Sequence, residues 1–136
     1  MLRFLLDTDI CSYAIKRKSP ALYERLKAAM LADAACISAI TRGELIYGLE
    51  RVPQATALRA AVLAFLDEIP CLPWTPAAAD FYGGLRARQR LAGQPIGYMD
   101  TQIAAHALAE NLILVSNNLR HYERIPGLKL ENWTES

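Results

Sequence analysis

The chain has 136 residues, 53% of them hydrophobic and 21% charged, with a formal net charge of +1. These values describe one globular domain, residues 1–136, large enough to bury a single substantial core, and they exclude an intrinsically disordered chain. Near-neutral charge gives no general attraction to nucleic acid, so any such binding would rest on local clusters such as Lys16-Arg17-Lys18 and Arg86-x-Arg88-x-Arg90.

No apolar run reaches the ~18 residues of a membrane span, and the apolar N-terminal stretch is too short for a signal peptide. The expectation is a soluble, cytoplasmic protein with no membrane partner. Cys11, Cys36 and Cys71 are isolated and lack metal-ligand spacing. Cys36 and Cys71 sit in apolar runs and read as core residues of a reducing compartment.

In chain order, Leu2 to Leu6 is a short apolar run that reads as a strand buried on both faces. It ends abruptly in two carboxylates, Asp7 and Asp9. Ile10 to about Arg17 reads as a short helix, with Thr8 or Asp9 as its N-cap. Ser19-Pro20 opens a second helix that carries Leu22, Leu26, Ala29 and Met30 at helical spacing. Ala34 to Ser38 reads as a strand. Thr41 starts a helix over Arg42 to about Glu50, with Thr41 and Glu44 at capping-box spacing. Val52-Pro53 breaks it, and a longer helix follows from about Gln54 to Glu68.

Cys71-Leu72-Pro73-Trp74 fits an edge strand, because Pro73 cannot donate to a central ladder. Thr75-Pro76 starts a helix that runs to about Leu91 and stops at Gly93. Tyr98 to Glu110 is a strongly apolar helix with Ile103, Ala104, Ala107 and Leu108 inward. Leu112 to Val115 is a second buried strand, followed by Ser116-Asn117-Asn118 and an irregular stretch. Leu128 to Glu131 is a last short strand. Strands alternate with helices throughout, so the class is α/β with a mostly parallel sheet.

Polar residues that follow strands in such a sheet lie where ligands bind. Asp7 and Asp9 follow the first strand. Ser116 and Asn118 follow Leu112–Val115, at the same end if the two strands are parallel. Asp100 precedes Ile103, Ala104 and Ala107 at helical spacing and so belongs to the inward stripe. Glu44 lies on the border of an apolar face. Asp9, Glu44 and Asp100 each have a local explanation as cap, capping-box partner or helix-start acid. Asp7 has none. Two such acids at ~4 Å and an effective dielectric of about 20 repel by roughly 4 kcal/mol. Inward acids with no Cys or His ligand call for a hard cation, Mg²⁺ or Mn²⁺, of the kind that activates water and clamps phosphoryl oxygens. His106 reads as a core residue. His121 lies in the loop after Asn118 and is a minor candidate to face the site.

Four motifs occur in order: Leu5-Leu6-Asp7-Thr8-Asp9; Ser38-x-x-Thr41-x-x-Glu44-Leu45-x-x-Gly48; Gly93-x-Pro95-Ile96-Gly97-x-x-Asp100-x-x-Ile103-Ala104; and Leu114-Val115-Ser116-Asn117-Asn118-x-x-x-Tyr122. In these the chain resembles the PIN-domain ribonucleases, and among them the VapC toxins of bacterial toxin–antitoxin pairs. The resemblance extends to the ending Pro126-Gly127-Leu128-x-Leu130-Glu131-Asn132-Trp133. It implies an α/β/α sandwich with a central parallel sheet. It also implies Mg²⁺- or Mn²⁺-dependent endonucleolytic cleavage of structured RNA, a tRNA or a ribosomal RNA loop.

The partners it implies are a VapB-like antitoxin and a second copy of the chain as homodimer, with DNA reached only through the antitoxin. It makes Asp7, Glu44 and Asp100 the core acids and places the fourth position on Asn118, with Ser116 where the family has Thr. An amide there cannot supply charge, and Asp9 is positioned to offset the loss. In the expected mechanism water attacks a backbone phosphate in line, Asp7 and Asp100 hold the ion, and Glu44 binds or orients the water. Asn118 and Ser116 position ligands beside Thr8, and Arg42, Arg86, Arg88 and Arg90 are candidates for phosphate contact. Two alternatives remain. In a haloacid-dehalogenase-like phosphatase Asp7 would be the nucleophile, but no suitable Lys lies between Asp80 and Asn118. The other is a degenerate PIN module that only binds a partner.

Overall fold

The computed structural model describes residues 1–134. Strand β1 (Phe4–Leu6) runs into helix α1 (Thr8–Ile15) and then α2 (Pro20–Leu31). Strand β2 (Ala35–Ser38) leads to α3 (Ala39–Arg51) and α4 (Thr56–Glu68). Strand β3 (Cys71–Leu72) leads to α5 (Pro76–Ala92) and α6 (Tyr98–Ala109). Strand β4 (Ile113–Val115), a helical turn α7 (Leu119–Tyr122) and β5 (Leu130–Glu131) close the chain.

The strands form one five-stranded sheet in the order β3-β2-β1-β4-β5, and every pairing is parallel. Alternation along β1 explains the layers. Phe4 and Leu6 join a core with Ile10, Leu22, Leu26, Val62, Leu66 and Trp133, beneath α1, α2 and α4. Leu5 joins the opposite core with Cys36, Leu85, Ile103, Ala104 and Leu114, beneath α5 and α6. The α/β/α sandwich and the mostly parallel sheet read from the sequence are both present. The strand order reverses between β1 and its neighbours, which makes the carboxyl end of β1 a topological switch point, where open α/β sheets leave a crevice.

Several local expectations are corrected. The cap of α1 is Asp7, whose side chain accepts from Ile10 N, and not Thr8 or Asp9. The cap of α3 is Ser38, whose Oγ accepts from Ile40 N, so α3 begins before Thr41 and Thr41 with Glu44 forms no capping box. Thr41 is instead fully buried, and its Oγ1 accepts from the Thr8 hydroxyl at 3.1 Å, joining α1 to α3. Cys36 is a core residue, but Cys71 is exposed because β3 is a two-residue edge strand. Residues 119–122, expected to be irregular, form a helical turn, and the outer strands are shorter than their apolar runs. Caps at Ser19 and Thr75, each followed by proline at the first helical turn, stand as read. So does the end of α5 at Gly93, which has a left-handed φ of 67°.

Trp133 closes one core. It is 1% exposed, meets Phe4 edge-on at 4.9 Å between ring centres, and donates from Nε1 to Glu131 Oε1 at 2.8 Å. Replacing Trp133 by Ala is expected to cost about 3–5 kcal/mol in urea unfolding, whereas Leu31→Ala, at a side chain 79% exposed, stays within about 0.5 kcal/mol. Equal midpoints for the two variants would contradict this account of the core.

Candidate active site

The site is built at the end of β1. The Asp7 backbone N–H donates to the Val115 carbonyl at 3.0 Å, continuing the β1–β4 ladder by one residue and setting Asp7 beside Ser116. The Asp7 carboxyl is 3% exposed. Its Oδ1 accepts from Ile10 N at 2.8 Å, and its Oδ2 lies 3.4 Å from the donating Tyr122 hydroxyl. The fully buried Ser116 hydroxyl also hydrogen-bonds to Asp7, while its oxygen accepts from Asn118 N at 2.9 Å.

These donors do not offset the loss of water. Burial, with repulsion from Asp9 and Asp100, pushes the Asp7 carboxyl up to about 6 despite its hydrogen bonds to Ser116 and Ile10.

Asp100 stands on the first turn of α6 and is half-buried. Burial raises its carboxyl too, opposed by His121 and by a hydrogen bond from Tyr122, with Asp9 adding to the rise. The Tyr122 hydroxyl therefore lies between the two carboxylates, and burial together with their charge holds its proton far above the usual phenol range. A single phenolic proton serves both acids.

His121 Nε2 lies 3.2 Å from Asp100 Oδ2 and 2.7 Å from the Ile96 carbonyl. On its other side Nδ1 is 3.0 Å from Asn118 Nδ2. Both ring nitrogens are engaged, Nδ1 by Asn118 and Nε2 by Ile96 and Asp100. Asn118, exposed, thus reaches Asp100 through the imidazole of His121.

The remaining candidates are placed as follows. Asp9 is exposed on the first turn of α1 and adds negative charge felt by both Asp7 and Asp100. Glu44 is partly exposed on α3, one turn beyond the Thr41 that Thr8 grips. It makes no hydrogen bond or ion pair among the described residues. Arg86 lies over the Tyr98 ring at 4.3 Å, and Arg42, Arg88 and Arg90 are exposed. Beneath the site, Ser38 Oγ and His106 Nδ1 are 2.7 Å apart, which joins the cap of α3 to the core face of α6.

Sequence reasoning gave Tyr122 no role and gave His121 only as a minor candidate in the loop after Asn118. Tyr122 was present in the fourth motif, and its spacing of four residues from Asn118 was the available signal. His121 acts only because residues 119–122 turn helically and bring the ring back over Asp100.

Among the described residues no three His, Cys, Asp or Glu side chains form a ready-made metal cage. The donor set nevertheless suits a hard divalent ion, which is commonly held by one or two carboxylates with water completing its shell. Asp7 and Asp100 supply such a pair, and both carry a proton-raising penalty that a nearby cation relieves.

Comparison with known proteins gives a consistent result. The PIN-domain family model matches residues 4–128. The tRNA(fMet)-specific endonuclease VapC of Shigella flexneri is 40% identical over 134 residues, covering 98% of this chain and 100% of that protein. Ribonuclease VapC2 of Rickettsia felis is 35% identical over 130 residues, covering 96% of this chain and 97% of that protein. In the crystal structure of DNA-bound VapBC from Salmonella typhimurium, one chain superposes with a TM-score of 0.90 at 40% identity, over 98% of this chain and 99% of that one.

The Asp7 environment sets a pH dependence. The folded chain binds the Asp7 proton more tightly than the unfolded chain does, so stability falls as pH rises from about 4 through about 6. Asp7→Asn, which keeps a side-chain acceptor for Ile10 N, is therefore expected to be more stable than the parent at pH 8 in EDTA, by on the order of 3 kcal/mol. That advantage should shrink towards pH 4. A stability difference independent of pH would show that Asp7 is not strained by burial.

Proposed function

The chain belongs to the PIN-domain family, among its VapC ribonucleases, and on that premise we propose that it is the RNA-cleaving toxin of a VapBC pair, with structured RNA as substrate. What carries the reading is the juxtaposition at the switch point: a buried carboxylate, Asp7, shares the Tyr122 hydroxyl with Asp100, and both are raised by burial. Such a pair suits a divalent cation. With the family established, the phosphatase reading of Asp7-x-Asp9 falls away.

The reaction is hydrolysis of one phosphodiester. A water oxygen forms a new bond to phosphorus in line with the sugar oxygen that leaves, and the leaving oxygen takes up a proton. Asp7 and Asp100 would hold Mg²⁺ or Mn²⁺, which when bound supplies charge neutralisation and Lewis acidity at the phosphate. Ser116 and Ile10 N fix the orientation of the Asp7 carboxylate. Tyr122 holds the two acids at a common spacing. His121 fixes Asp100, and Asn118 fixes the ring of His121. Glu44 orients the attacking water from α3. Asn118 thus acts through hydrogen bonding, while Asp9 supplies the charge that an amide lacks.

The relatives' names point to tRNA(fMet) as the first RNA to examine. Solved structures similar to this chain include VapBC from Rickettsia felis and from Salmonella typhimurium, both bound to DNA, which supports a VapB-like antitoxin as partner and DNA contact through that partner. A homodimer is the proposed state of the toxin.

Asp7→Asn and Asp100→Asn are expected to lower RNA cleavage at least a hundredfold and to relieve growth inhibition, with the fold intact by circular dichroism. Sequencing of RNA 5′ ends after induced expression reads the cut sites. Full cleavage by either variant sinks the assignment. EDTA should abolish activity and Mn²⁺ restore it, and calorimetry that detects no Mn²⁺ binding near millimolar would favour a module that only binds its partner.

A further inference from the structure

Next to the carboxylates lies a cavity of about 740 Å³ between the end of α5, the segment Gln94–Ile96 and the chain from Arg120 to Pro126. Its volume falls in the range of ~300–1,000 Å³ found for pockets that enclose whole ligands. Three guanidinium groups line it, Arg88, Arg120 and Arg124, against one carboxylate, Glu123. Three positive charges less one leave +2 here, on a chain whose whole net charge is +1.

All three arginines are exposed, and among the described residues none is in a hydrogen bond, an ion pair or a stack on an aromatic ring. Arg25, Arg59 and Arg86 are engaged, with Glu131, Glu50 and the Tyr98 ring, whereas Arg42 and Arg90 are exposed like the three here but lie outside the cavity.

Two further observations connect the cavity to the chemistry. His121 is part of its wall and also contacts Asp100 at 3.2 Å, so the cavity and the active site share a side chain. Gln89 lines it as well. Its side-chain amide is in hydrogen-bond contact with the Thr101 hydroxyl at 3.0 Å, which ties this wall of the cavity to the residue after Asp100.

From this we infer that the cavity seats the phosphodiester backbone of the RNA strand flanking the scissile bond, with Arg88, Arg120 and Arg124 on phosphate oxygens. The inference rests on the ribonuclease reading and adds the path of the substrate to it. Negatively charged oxygens match the guanidinium forks. The shared His121 places the cavity next to the carboxylates, where the strand must continue. Of the arginines in the α5 cluster, Arg88 alone takes part.

The test uses the full chain carrying Asp7→Asn, so that RNA stays intact, and fluorescently labelled tRNA(fMet) as probe. Binding is followed by anisotropy across a salt series. Arg88→Ala, Arg120→Ala and Arg124→Ala are each expected to weaken binding about five- to tenfold. Each should also flatten the dependence of log affinity on log salt by about 0.7–0.9, the value of one lost phosphate contact. The corresponding lysine variants should recover most of the salt slope, which a merely structural defect would not allow. Unchanged affinity and slope in all three alanine variants, while the parent chain cleaves tRNA, overturns this inference and leaves the ribonuclease reading standing. Variants that bind RNA normally but lose a co-expressed antitoxin assign the cavity to the protein partner and overturn it equally. A parent chain that cleaves no cellular RNA overturns the reading beneath it and this inference together.

Discussion

The structure depends on one unfavourable burial. A carboxylate closes β1 at a point where no water reaches it freely, and its neighbours can only partly compensate. The same side chain caps α1, so the first helix is launched by the group that the site needs. Structural and chemical roles are joined in a single residue. Asp7 cannot move without disturbing the start of α1, and α1 cannot shift without moving Asp7. Natural chains keep such strained groups where activity requires them.

Sheet topology explains why the other groups arrive there. β1 and β4 are neighbours whose chains leave in opposite directions, α1 towards one face and residues 116–122 over the edge of the crevice. Ser116, Asn118, His121 and Tyr122 therefore approach Asp7 from β4, while Asp100 descends from α6. Each is short-range to its own element and long-range to the rest. The site has no single loop that could be exchanged as a unit. It is a junction of four elements held by hydrogen bonds of 2.7–3.4 Å.

Much of this was legible in the sequence, and the reason varies by residue. Asp7 stood out because an acid straight after a buried strand has no local explanation. Asp100 was visible through helical phase. The layers followed from alternation and from the order of strands and helices. Local signals failed where two of them competed. Ser38 and Thr41 both fit a cap, and the earlier one won because Thr41 was needed inside, against Thr8. Cys71 looked like core because its run is apolar, yet an edge strand of two residues has too little sheet around it to bury both faces. Tyr122 and His121 were opaque for a different reason. Their partners are 115 and 21 residues away in the chain, and only the folded helical turn brings them together.

The bond between Ser38 and His106 carries a mechanical consequence. Ser38 heads the helix that bears Glu44, and His106 lies on the helix that bears Asp100, so one buried oxygen–nitrogen contact of 2.7 Å sets how far those two helices can slide past each other. Burial lowers the imidazole's affinity for a second proton, so the link persists as neutral chemistry through ordinary changes of acidity. The relative placement of Glu44 and Asp100 is held from below, by a contact in which neither carboxylate takes part.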